Sequence, residues 1–409
     1  MGELGIYLII FVALYFEVFL LVTFLEKTPR RRNPAEKLSY YPSTTIIVPC
    51  FNEERTLAGT LDSLLSLEYP EDRLSVFVVD DGSKDGTLAI ARSYETNPRV
   101  KVFTKKNGGK YTALNLGIQE ARSELVGCLD ADSFVAPDAL TEIVKKFNDN
   151  PHVMAVTPAI KIHKPSRLIE YMQAAEYTIG IFYKKMFDSI SSIPVLPGPF
   201  SIYRKSLFDH IGLFRHAHNT EDMEIALRMH AHRLKIENAH TAYVYTVAPK
   251  TIWSLVKQRT RWSQGYLQNS KDYRYMYGNP RYGNFGVFVL PLGLFAIFAG
   301  LYVAGYTLFT FFKFLITRLL DLFAIGIAPV LSLPEEVTWF YLDTGMMTFL
   351  IIIAISFTLL IIFLGTRMSE SNLGIRHIAS YLALYGFVAP LWLARAVYGA
   401  ARSRESMWR

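Results

Sequence analysis

The chain has 409 residues, which is enough for two or three domains, and 51% of them are hydrophobic. It contains two cysteines, which excludes a disulfide framework and suits a reducing compartment. The formal net charge of +7 does not indicate nucleic-acid binding, because much of the excess follows an apolar segment, where anionic lipid and membrane topology account for it.

The first predicted element is a membrane anchor. Residues 5–25 are almost wholly apolar, with Glu17 as their one charge, and they are long enough to cross a bilayer. The segment is too long for a signal-peptide core and no small-residue cleavage site follows, so we expect it to be retained. Basic residues follow it while only Glu3 precedes it, which by the positive-inside rule places the next domain in the cytoplasm. We assign residues 1–26 to this helix and 27–42 to a basic linker.

From about residue 43 to residue 158, short apolar runs alternate with segments of helical spacing. The runs are typical of strands and the spaced segments of helices, so the pattern predicts a mostly parallel sheet covered on both faces. The predicted strands are 44–48, 76–79, 100–103, 125–129 and 153–156. The predicted helices are 54–67, 84–94, 111–121 and 138–148.

Polar residues gather at the carboxyl ends of the predicted strands, where parallel sheets hold their ligands. Asp130 and Asp132 follow the fourth strand, and two carboxylates one residue apart can bind a hard divalent cation together with water and a diphosphate. A turn with a helix cap is the alternative interpretation. Pro49 and Glu53 follow the first strand and Asp81 follows the second, in loops that are also compatible with ordinary turns.

The third predicted strand is followed by two lysines, Asn107, two glycines and Lys110. Glycines let the backbone approach a ligand, and lysines at a helix start are expected where an anion binds, since they repel the helix dipole. The spacing is not that of a Walker A loop. A flexible, solvated loop is the alternative interpretation.

Read together, these segments resemble a known family. VPCFNE (48–53), VDDGSKDGT (79–87), NGGKYTALN (107–115) and LDADS (129–133) follow one another as in the inverting GT-A glycosyltransferases of family 2. TED (220–222) and QRTRW (258–262) are similar to the motifs of its membrane-embedded processive branch, which includes cellulose, hyaluronan and poly-N-acetylglucosamine synthases. The resemblance covers about residues 43–265. It implies an α/β fold: a Rossmann-like GT-A domain with a mostly parallel sheet, beside an α-helical transmembrane region.

The resemblance also implies an activity and a role for individual residues. The activity is metal-dependent transfer of a sugar from a nucleotide-sugar donor, with inversion. Mg²⁺ or Mn²⁺ would be bound by Asp132 with Asp130, and Asp222 would be the general base that takes the proton from the acceptor hydroxyl. The donor would be bound by Pro49, Glu53, Asp81, Lys110, Asp130, Gln258 and Arg261. The acceptor would be bound by Gly198, Glu221 and Trp262.

Each later motif has a structural alternative. Gly198 lies in a Pro-Gly sequence that is typical of a turn, and acidic residues such as Asp222 are common in a first helical turn. Gln258, Arg261 and Trp262 belong to a segment rich in aromatic and basic residues, which is also typical of an interfacial amphipathic helix. An interfacial helix that carries catalytic residues would place the reaction at the bilayer surface. Residues 166–187 are either a companion interfacial helix or an ordinary core helix.

Apolar segments return after Asn284. Residues 285–312 and 345–364 are long enough to span, and 378–394 is a shorter candidate. Residues 319–333 are broken by Asp321 and Pro329, and are expected to be re-entrant or interfacial. We divide the chain after the linker into a catalytic domain (43–250), interfacial helices (251–284) and a membrane region of about three spans plus this segment (285–409). The sequence does not decide on which side of the membrane the carboxyl terminus lies. Four crossings would place the basic residues near it outside, against the positive-inside rule.

These features predict a multi-pass cell-membrane enzyme with a cytoplasmic catalytic domain, which transfers a sugar from a UDP-sugar to a growing polysaccharide. An alternative with the same chemistry is single-sugar transfer to a lipid acceptor, a polyprenyl phosphate or a glycolipid, because few helices are available for a channel. A third alternative is a non-catalytic nucleotide-sugar-binding subunit or transporter, against which the scarcity of charges in the spans argues. The expected partners are the nucleotide-sugar donor, a glycan or lipid-linked acceptor and membrane lipids, with no nucleic acid. The sequence identifies no protein partner.

Overall fold

The computed structural model of the protein describes residues 2–26, 38–326 and 345–402. The predicted linker (27–42), the predicted broken segment (319–333) and the predicted membrane region (285–409) fall partly outside these ranges. Residues 27–37 of the basic linker lie outside the described residues, and so do residues 327–344, which include Pro329.

An eight-stranded sheet forms the centre of the region between the first and the second apolar helix. Its strands are β1 (Thr44–Cys50), β2 (Leu74–Asp80), β3 (Val100–Thr104), β4 (Leu125–Cys128), β5 (Ser133–Val135), β6 (Val153–Ile162), β7 (Ile202–Arg204) and β8 (Lys235–Thr246). Their order across the sheet is β3-β2-β1-β4-β7-β6-β8-β5. Strands β1 to β4 are parallel, so their carboxyl ends meet at one edge. The predicted mostly parallel α/β sheet is therefore confirmed.

Helices cover both faces of this sheet. Along β1, Ile46 and Val48 pack into one apolar layer with the helices α2 (Leu57–Leu65) and α5 (Ala139–Asp149). Ile47 packs into the opposite layer with α4 (Lys110–Glu120) and α8 (Glu221–Ala231). A strand buried on both faces reads as a continuous apolar run, which is why β1 was visible in the sequence. The helices of this region are α2 (Leu57–Leu65), α3 (Thr87–Ser93), α4 (Lys110–Glu120), α5 (Ala139–Asp149), α6 (Leu168–Ser189), α7 (Leu207–Ile211), α8 (Glu221–Ala231) and α9 (Ile252–Asp272).

Three strands, β5, β7 and β8, were not predicted. Strand β7 has three residues and lies antiparallel between β4 and β6, so the fourth and fifth predicted strands are not neighbours. Strand β5 also has three residues and pairs antiparallel with β8. Strands this short contain too few residues to show the alternation that marks a strand in a sequence.

Four helices among the described residues are long and apolar enough to cross a bilayer: α1 (Gly2–Glu26), α10 (Leu290–Ile325, preceded by a π-helical turn), α11 (Met346–Met368) and α12 (Ile375–Ala401). Helix α10 continues through Asp321, where we expected a break, and Asp321 lies 3.9 Å from Arg318 one turn earlier. Its 36 residues reach about 54 Å, well beyond the hydrocarbon core. The acidic residue thus lies near the end of a long helix, where it needs no interruption of the backbone.

Helices α6 and α9 lie between the sheet and the apolar helices. Residues of both pack with Val388 and Trp392 of α12 in one buried cluster. Phe182 of α6 packs with Leu20 of α1 and Ile361 of α11 in another cluster. Helix α6 therefore contacts membrane-type helices, and its interfacial interpretation stays a prediction. Helix α9, which carries QRTRW, packs directly on a membrane-type helix.

Candidate active site

Two adjoining cavities lie at the edge of the sheet where the parallel strands end. The first has a volume of about 460 Å³ and the second about 520 Å³, and Phe51, Lys110 and Glu221 line both. Eleven of the twelve predicted site residues line the first cavity: Pro49, Glu53, Lys110, Asp130, Asp132, Gly198, Glu221, Asp222, Gln258, Arg261 and Trp262. Asp81 lines the second cavity. The structure therefore brings all twelve together, and the roles assigned to them stay predictions.

Lys110, the first residue of α4, lies at the centre of this group. Its Nζ is 2.5 Å from Oδ1 of Asp130 and 3.4 Å from Oε1 of Glu221. Burial alone would lower the pKa of Lys110, but the attraction of Asp130 and Glu221 outweighs burial and raises the pKa above its ordinary value. The side chain is therefore a permanent positive charge on the wall that the two cavities share.

Gly198 lies directly against this ion pair. A methyl group added at position 198 would lie 2.5 Å from Nζ of Lys110 and 2.9 Å from Oδ1 of Asp130. Any larger residue would therefore displace the two charged groups. The glycine thus lets this loop approach the ion pair closely, in a segment that the sequence alone could not distinguish from an ordinary turn.

Asp222 is the second residue of α8 and lines the first cavity. Burial and the neighbouring Glu221 raise the pKa of Asp222 to about 6, although Lys110 and Arg261 oppose the increase. Its Oδ1 accepts a hydrogen bond of 2.9 Å from the backbone N–H of Met223, which orients the carboxylate. A carboxylate with a pKa near 6 is mostly ionised at neutral pH and is a stronger base than an ordinary aspartate.

Asp81 organises the glycine-containing loop after β3. One of its oxygens accepts hydrogen bonds from Lys105 Nζ at 2.5 Å and from the N–H of Gly108 at 3.0 Å, and the other accepts one from the N–H of Gly109 at 2.9 Å. The lysines of this loop were expected to attract an external anion. In the structure, Lys105 pairs with Asp81 and Lys110 pairs with Asp130. Carboxylates of the protein itself therefore account for these two lysines at the start of α4, without an external anion.

Asp130 and Asp132 fit a divalent cation that shares its coordination with a substrate. Among the described residues no group of three or more His, Cys, Asp or Glu side chains is placed to hold a metal. Two carboxylates that line the cavity are nevertheless hard oxygen donors of the type that Mg²⁺ and Mn²⁺ prefer, and a diphosphate and water can complete such a site. The carboxylates of the first cavity also outnumber its cations. Its carboxylates are Glu53, Asp130, Asp132, Glu221 and Asp222, and its cations are Lys110, Lys257 and Arg261.

Gln258 and Arg261 line the cavity from one face of α9, as their spacing of three residues predicted. Arg261 donates a hydrogen bond of 2.7 Å to the backbone oxygen of Asn219, just before Asp222. The Oε1 atom of Gln258 is buried and has no hydrogen-bond partner within the described ranges. Because a buried polar atom rarely lacks a partner, this atom is suited to contact a bound ligand.

Arg259 and Glu176 are site-supporting residues that the sequence interpretation missed. The Arg259 guanidinium lies 4.3 Å from the ring centre of Trp262 and 5.6 Å from that of Tyr177, and both aromatic residues line the cavity. Glu176 on α6 holds the guanidinium with an N–O distance of 2.9 Å. Arg259 lies inside the QRTRW motif and could have been suspected, whereas no local pattern marks Glu176.

The loop before Asp222 has an unusual backbone. Ala217, His218 and Asn219 have φ values of 46°, 55° and 61°, a left-handed conformation that costs energy at each non-glycine residue. Helix α9 holds this loop through Arg261 and through Asn269, whose Nδ2 lies 2.8 Å from Oγ1 of Thr220. The position of Asp222 therefore depends on α9 as well as on its own helix.

Comparison with known proteins agrees with this geometry. Residues 45–212 match the family described as Glycosyl transferase family 2. The chain is 33% identical over 246 residues to the poly-beta-1,6-N-acetyl-D-glucosamine synthase of Staphylococcus epidermidis, a match that covers 59% of each chain. It is 31% identical over 223 residues to the enzyme of that name from Staphylococcus aureus strain COL, covering 54% of each chain. The chain thus covers less than two thirds of the length of these relatives. The resemblance drawn from the motifs is confirmed.

One solved structure is similar over nearly the whole chain. It is the mannosyltransferase PcManGT from Pyrobaculum calidifontis in complex with GDP-Man and Mn²⁺, with a TM-score of 0.65 and 18% sequence identity, and the match covers 99% of this chain and 100% of that one. At this identity the likeness concerns the fold. It confirms the predicted fold class, a GT-A-like sheet domain combined with apolar helices.

Proposed function

We propose that this protein, in which residues 45–212 form a glycosyl transferase family 2 domain, is a membrane-bound inverting glycosyltransferase that transfers a sugar from a UDP-sugar to a growing polysaccharide. The observation that carries the proposal is the convergence of Asp222, Lys110 and the Asp130/Asp132 pair on one cavity that adjoins a second. The names of the staphylococcal relatives support a polysaccharide as the product.

The second cavity is suited to the nucleoside and the first to the sugar and the acceptor. Their shared wall contains Lys110, so a diphosphate that crosses from one cavity to the other would lie beside its ammonium group. Asp132 and Asp130 would hold Mg²⁺ or Mn²⁺, which supplies positive charge to the leaving diphosphate. Lys110 and Arg261 would stabilise the same developing charge from the protein side.

Asp222 acts as the general base in this proposal. It removes the proton from an acceptor hydroxyl as the oxygen attacks the anomeric carbon from the face opposite the nucleotide. The new glycosidic bond forms while the bond to the diphosphate breaks, and the nucleoside diphosphate leaves with that electron pair. One displacement inverts the anomeric centre and needs no covalent enzyme intermediate.

Trp262 and Gly198 define the acceptor side of the first cavity. The indole is held against Arg259 and offers a flat surface to a sugar ring, while the absence of a side chain at Gly198 lets the acceptor come close to Asp130. Glu221, beside the base, would accept a hydrogen bond from an acceptor hydroxyl. The same chemistry on a lipid-linked acceptor is the second candidate, because a cavity of about 1080 Å³ with mostly apolar walls lies among the membrane-type helices and is lined in part by Pro194 and Val195.

The proposal includes the arrangement of the chain in the membrane. Four candidate membrane helices support a multi-pass protein, and the basic residues after the first of them support a cytoplasmic catalytic domain. The division into anchor, linker, catalytic domain, interfacial helices and membrane region given above is part of the same proposal. The contacts of α9 with α12 support a reaction close to the bilayer surface.

The decisive experiment measures release of nucleoside diphosphate by the full chain in nanodiscs, with a panel of nucleotide sugars and Mg²⁺ or Mn²⁺. Asp222→Asn is expected to lower turnover by about 10²- to 10⁴-fold, because it removes the base, while donor binding is kept. Asp209→Asn changes an exposed carboxylate on α7 and is the matched control. Full turnover in Asp222→Asn would exclude this residue as the base. Metal-independent turnover after chelation would exclude the cation.

A further inference from the structure

One loop forms a wall of the first cavity and contacts both the proposed base and the central ion pair. It runs from residue 196 to residue 201, between α6 and β7, and three of its residues line the cavity: Pro197, Gly198 and Pro199. At its start, the N–H of Leu196 donates a hydrogen bond of 3.1 Å to the backbone oxygen of Asp222. Gly198, in its middle, lies against the ion pair of Lys110 and Asp130. A shift of this loop would therefore alter the space beside both groups.

The 196–201 loop has few means of holding its own shape. Pro197 and Pro199 have no backbone N–H, so they cannot donate hydrogen bonds. Phe200 has a φ of 64°, a left-handed conformation that is unfavourable for a residue with a side chain. Within the loop, the hydroxyl of Ser201 donates a hydrogen bond of 2.7 Å to the backbone oxygen of Pro197. The loop therefore depends on contacts with a neighbouring element to keep this conformation.

Cys128, the last residue of β4, supplies three such contacts. Its backbone oxygen accepts a hydrogen bond of 2.7 Å from the N–H of Phe200, and its N–H donates one of 3.2 Å to the oxygen of Ser201. Its Sγ lies 3.1 Å from the backbone oxygen of Gly198, within hydrogen-bond distance for a thiol donor, and 3.9 Å from that of Ser201. Any residue at position 128 except proline could make the first two contacts, because they use the backbone. Only the contact with Gly198 depends on the thiol.

The thiol contact fixes the direction of the Gly198 carbonyl group. A glycine has a wide choice of backbone conformations, so its peptide group could otherwise rotate. A carbonyl oxygen turned into the cavity would bring partial negative charge toward Asp130, where carboxylates already outnumber cations. Cys128 is 4% exposed and packs in the apolar layer that contains Ile47. The contact with its Sγ therefore holds the carbonyl oxygen in the core.

We propose that Cys128 is a positioning residue for glycosyl transfer: its thiol holds the Gly198 carbonyl group in the core and thereby keeps the acceptor side of the first cavity in place. Cys128 itself is not among the described residues that line this cavity, so it acts through Gly198 and not by contact with a substrate. The inference rests on the proposed function and adds to it a residue outside the twelve predicted ones.

The other cysteine of the chain provides a matched control. Cys50 is 2% exposed, and its Sγ lies 3.6 Å from the backbone oxygen of Val79 on the neighbouring strand. It packs in the apolar layer on the other face of the sheet, with Ile46 and Val48. Cys50→Ala and Cys128→Ala therefore remove the same atoms and the same kind of hydrogen bond from the sheet. Only Cys128→Ala removes a side-chain contact with the 196–201 loop.

The kinetic test uses the full chain in nanodiscs, with UDP-N-acetylglucosamine as the donor and the methyl β-glycoside of N-acetylglucosamine as the acceptor. Cys128→Ala is expected to raise the acceptor KM by about threefold to tenfold, because a buried carbonyl oxygen loses its partner. The donor KM is expected to rise less, because Asp130 is also held by Lys110. Cys128→Ser keeps a hydrogen-bond donor at this position, so it is expected to stay close to the unsubstituted protein, as is Cys50→Ala.

Two kinetic results would overturn the proposal. The first is an acceptor KM in Cys128→Ala that is no higher than in Cys50→Ala, because the loss of a buried thiol anywhere in the sheet would then explain the effect. The second is an acceptor KM in Cys128→Ser as high as in Cys128→Ala, because the hydrogen bond would then have no part in it.

Hydrogen–deuterium exchange of the full chain separates failure of this inference from failure of the proposed function, because it requires no turnover. Peptides that cover residues 196–201 report the N–H groups of Leu196 and Phe200, whose hydrogen bonds hold the loop. Faster exchange of these peptides in Cys128→Ala than in Cys50→Ala, with the unsubstituted rate kept in Cys128→Ser, supports the proposal. Equal exchange in the two alanine variants would overturn it. If the unsubstituted protein releases no nucleoside diphosphate, the proposed function fails, and exchange still decides whether Cys128 holds the loop.

Discussion

At the scale of single residues, three carboxylates lie close to a single lysine, Lys110. Asp130 and Glu221 contact Lys110 directly, and within the described part of the chain no lysine forms an ion pair with Asp222, which lies beside them. The excess of negative charge, together with burial, explains why the pKa of Asp222 is raised. It also explains why a diphosphate would need a cation to enter the same space.

The pH dependence of turnover tests this arrangement. With the pKa of Asp222 at about 6, kcat/KM is expected to rise as the pH increases through about 6 and then to level off, because only the ionised base accepts a proton. Glu221→Gln removes the neighbouring negative charge and is expected to move the acidic limb of the profile to lower pH, whatever its effect on the maximum. The profile of kcat/KM between pH 4.5 and pH 8 would show this shift. If the acidic limb of the kcat/KM profile does not move, a group other than Asp222 determines its position.

At the scale of secondary structure, helices α6 and α9 act as a pair. Glu176 of α6 holds Arg259 of α9, and the guanidinium of Arg259 supports the ring of Trp262 on the cavity wall. A planar guanidinium can stack on an indole and form a bidentate ion pair, and an ammonium group cannot do both. The orientation of the Trp262 ring therefore depends on α6, the helix that also contributes Tyr177 to the first cavity.

Arg259→Lys is expected to weaken acceptor binding while leaving donor binding unchanged. Loss of the stacked guanidinium should raise the acceptor KM by up to about tenfold, which is the size of a partly desolvated cation–π contact. Initial rates at varied acceptor and varied donor concentrations separate the two effects. Arg274→Lys changes an exposed arginine just after α9 and serves as the control. Equal increases in both KM values would indicate a general structural role.

At the scale of the whole molecule, the catalytic region and the membrane-type helices share buried clusters. Trp392 of α12 is 4% exposed and packs with Leu255 and Val256 of α9 and with Met172 of α6. The ring of Tyr385 lies edge-on to it with centroids 5.7 Å apart. Helix α9, which carries QRTRW, thus packs against the membrane-type helix α12.

Trp392→Ala is expected to destabilise the packing of α9 against α12. Removing a buried indole leaves a cavity that costs about 3 kcal/mol, so the unfolding temperature in nanodiscs should fall and turnover should decrease with it. Leu382→Ala, at an exposed position of the same helix, is expected to change neither. Thermal unfolding followed by intrinsic fluorescence, together with nucleoside diphosphate release, measures both quantities. A stable but inactive Trp392→Ala protein would mean that Trp392 affects the site without stabilising the fold.

Much of the site was predictable from the sequence by itself. The motif order indicated the family, the apolar runs indicated β1 to β4, and the strand ends identified the loops that carry Asp81, Asp130 and Asp132. These features are local, because each can be recognised from the composition or periodicity of a few adjacent residues. The apolar segments were visible for the same reason, since a helix in a bilayer requires an uninterrupted apolar run.

Only the tertiary structure revealed how distant parts of the chain meet. Strand β7 between β4 and β6, the pairing of Lys105 with Asp81, and the support of Trp262 by Arg259 and Glu176 all join residues that are separated in the sequence or follow no periodic pattern. The apolar cavity lined by Pro194 likewise exists only where five helices and a loop pack together. The residues adjacent to each of these positions in the sequence are compatible with several tertiary arrangements. Packing of the whole chain selects one of them, so these contacts could not be predicted from local sequence.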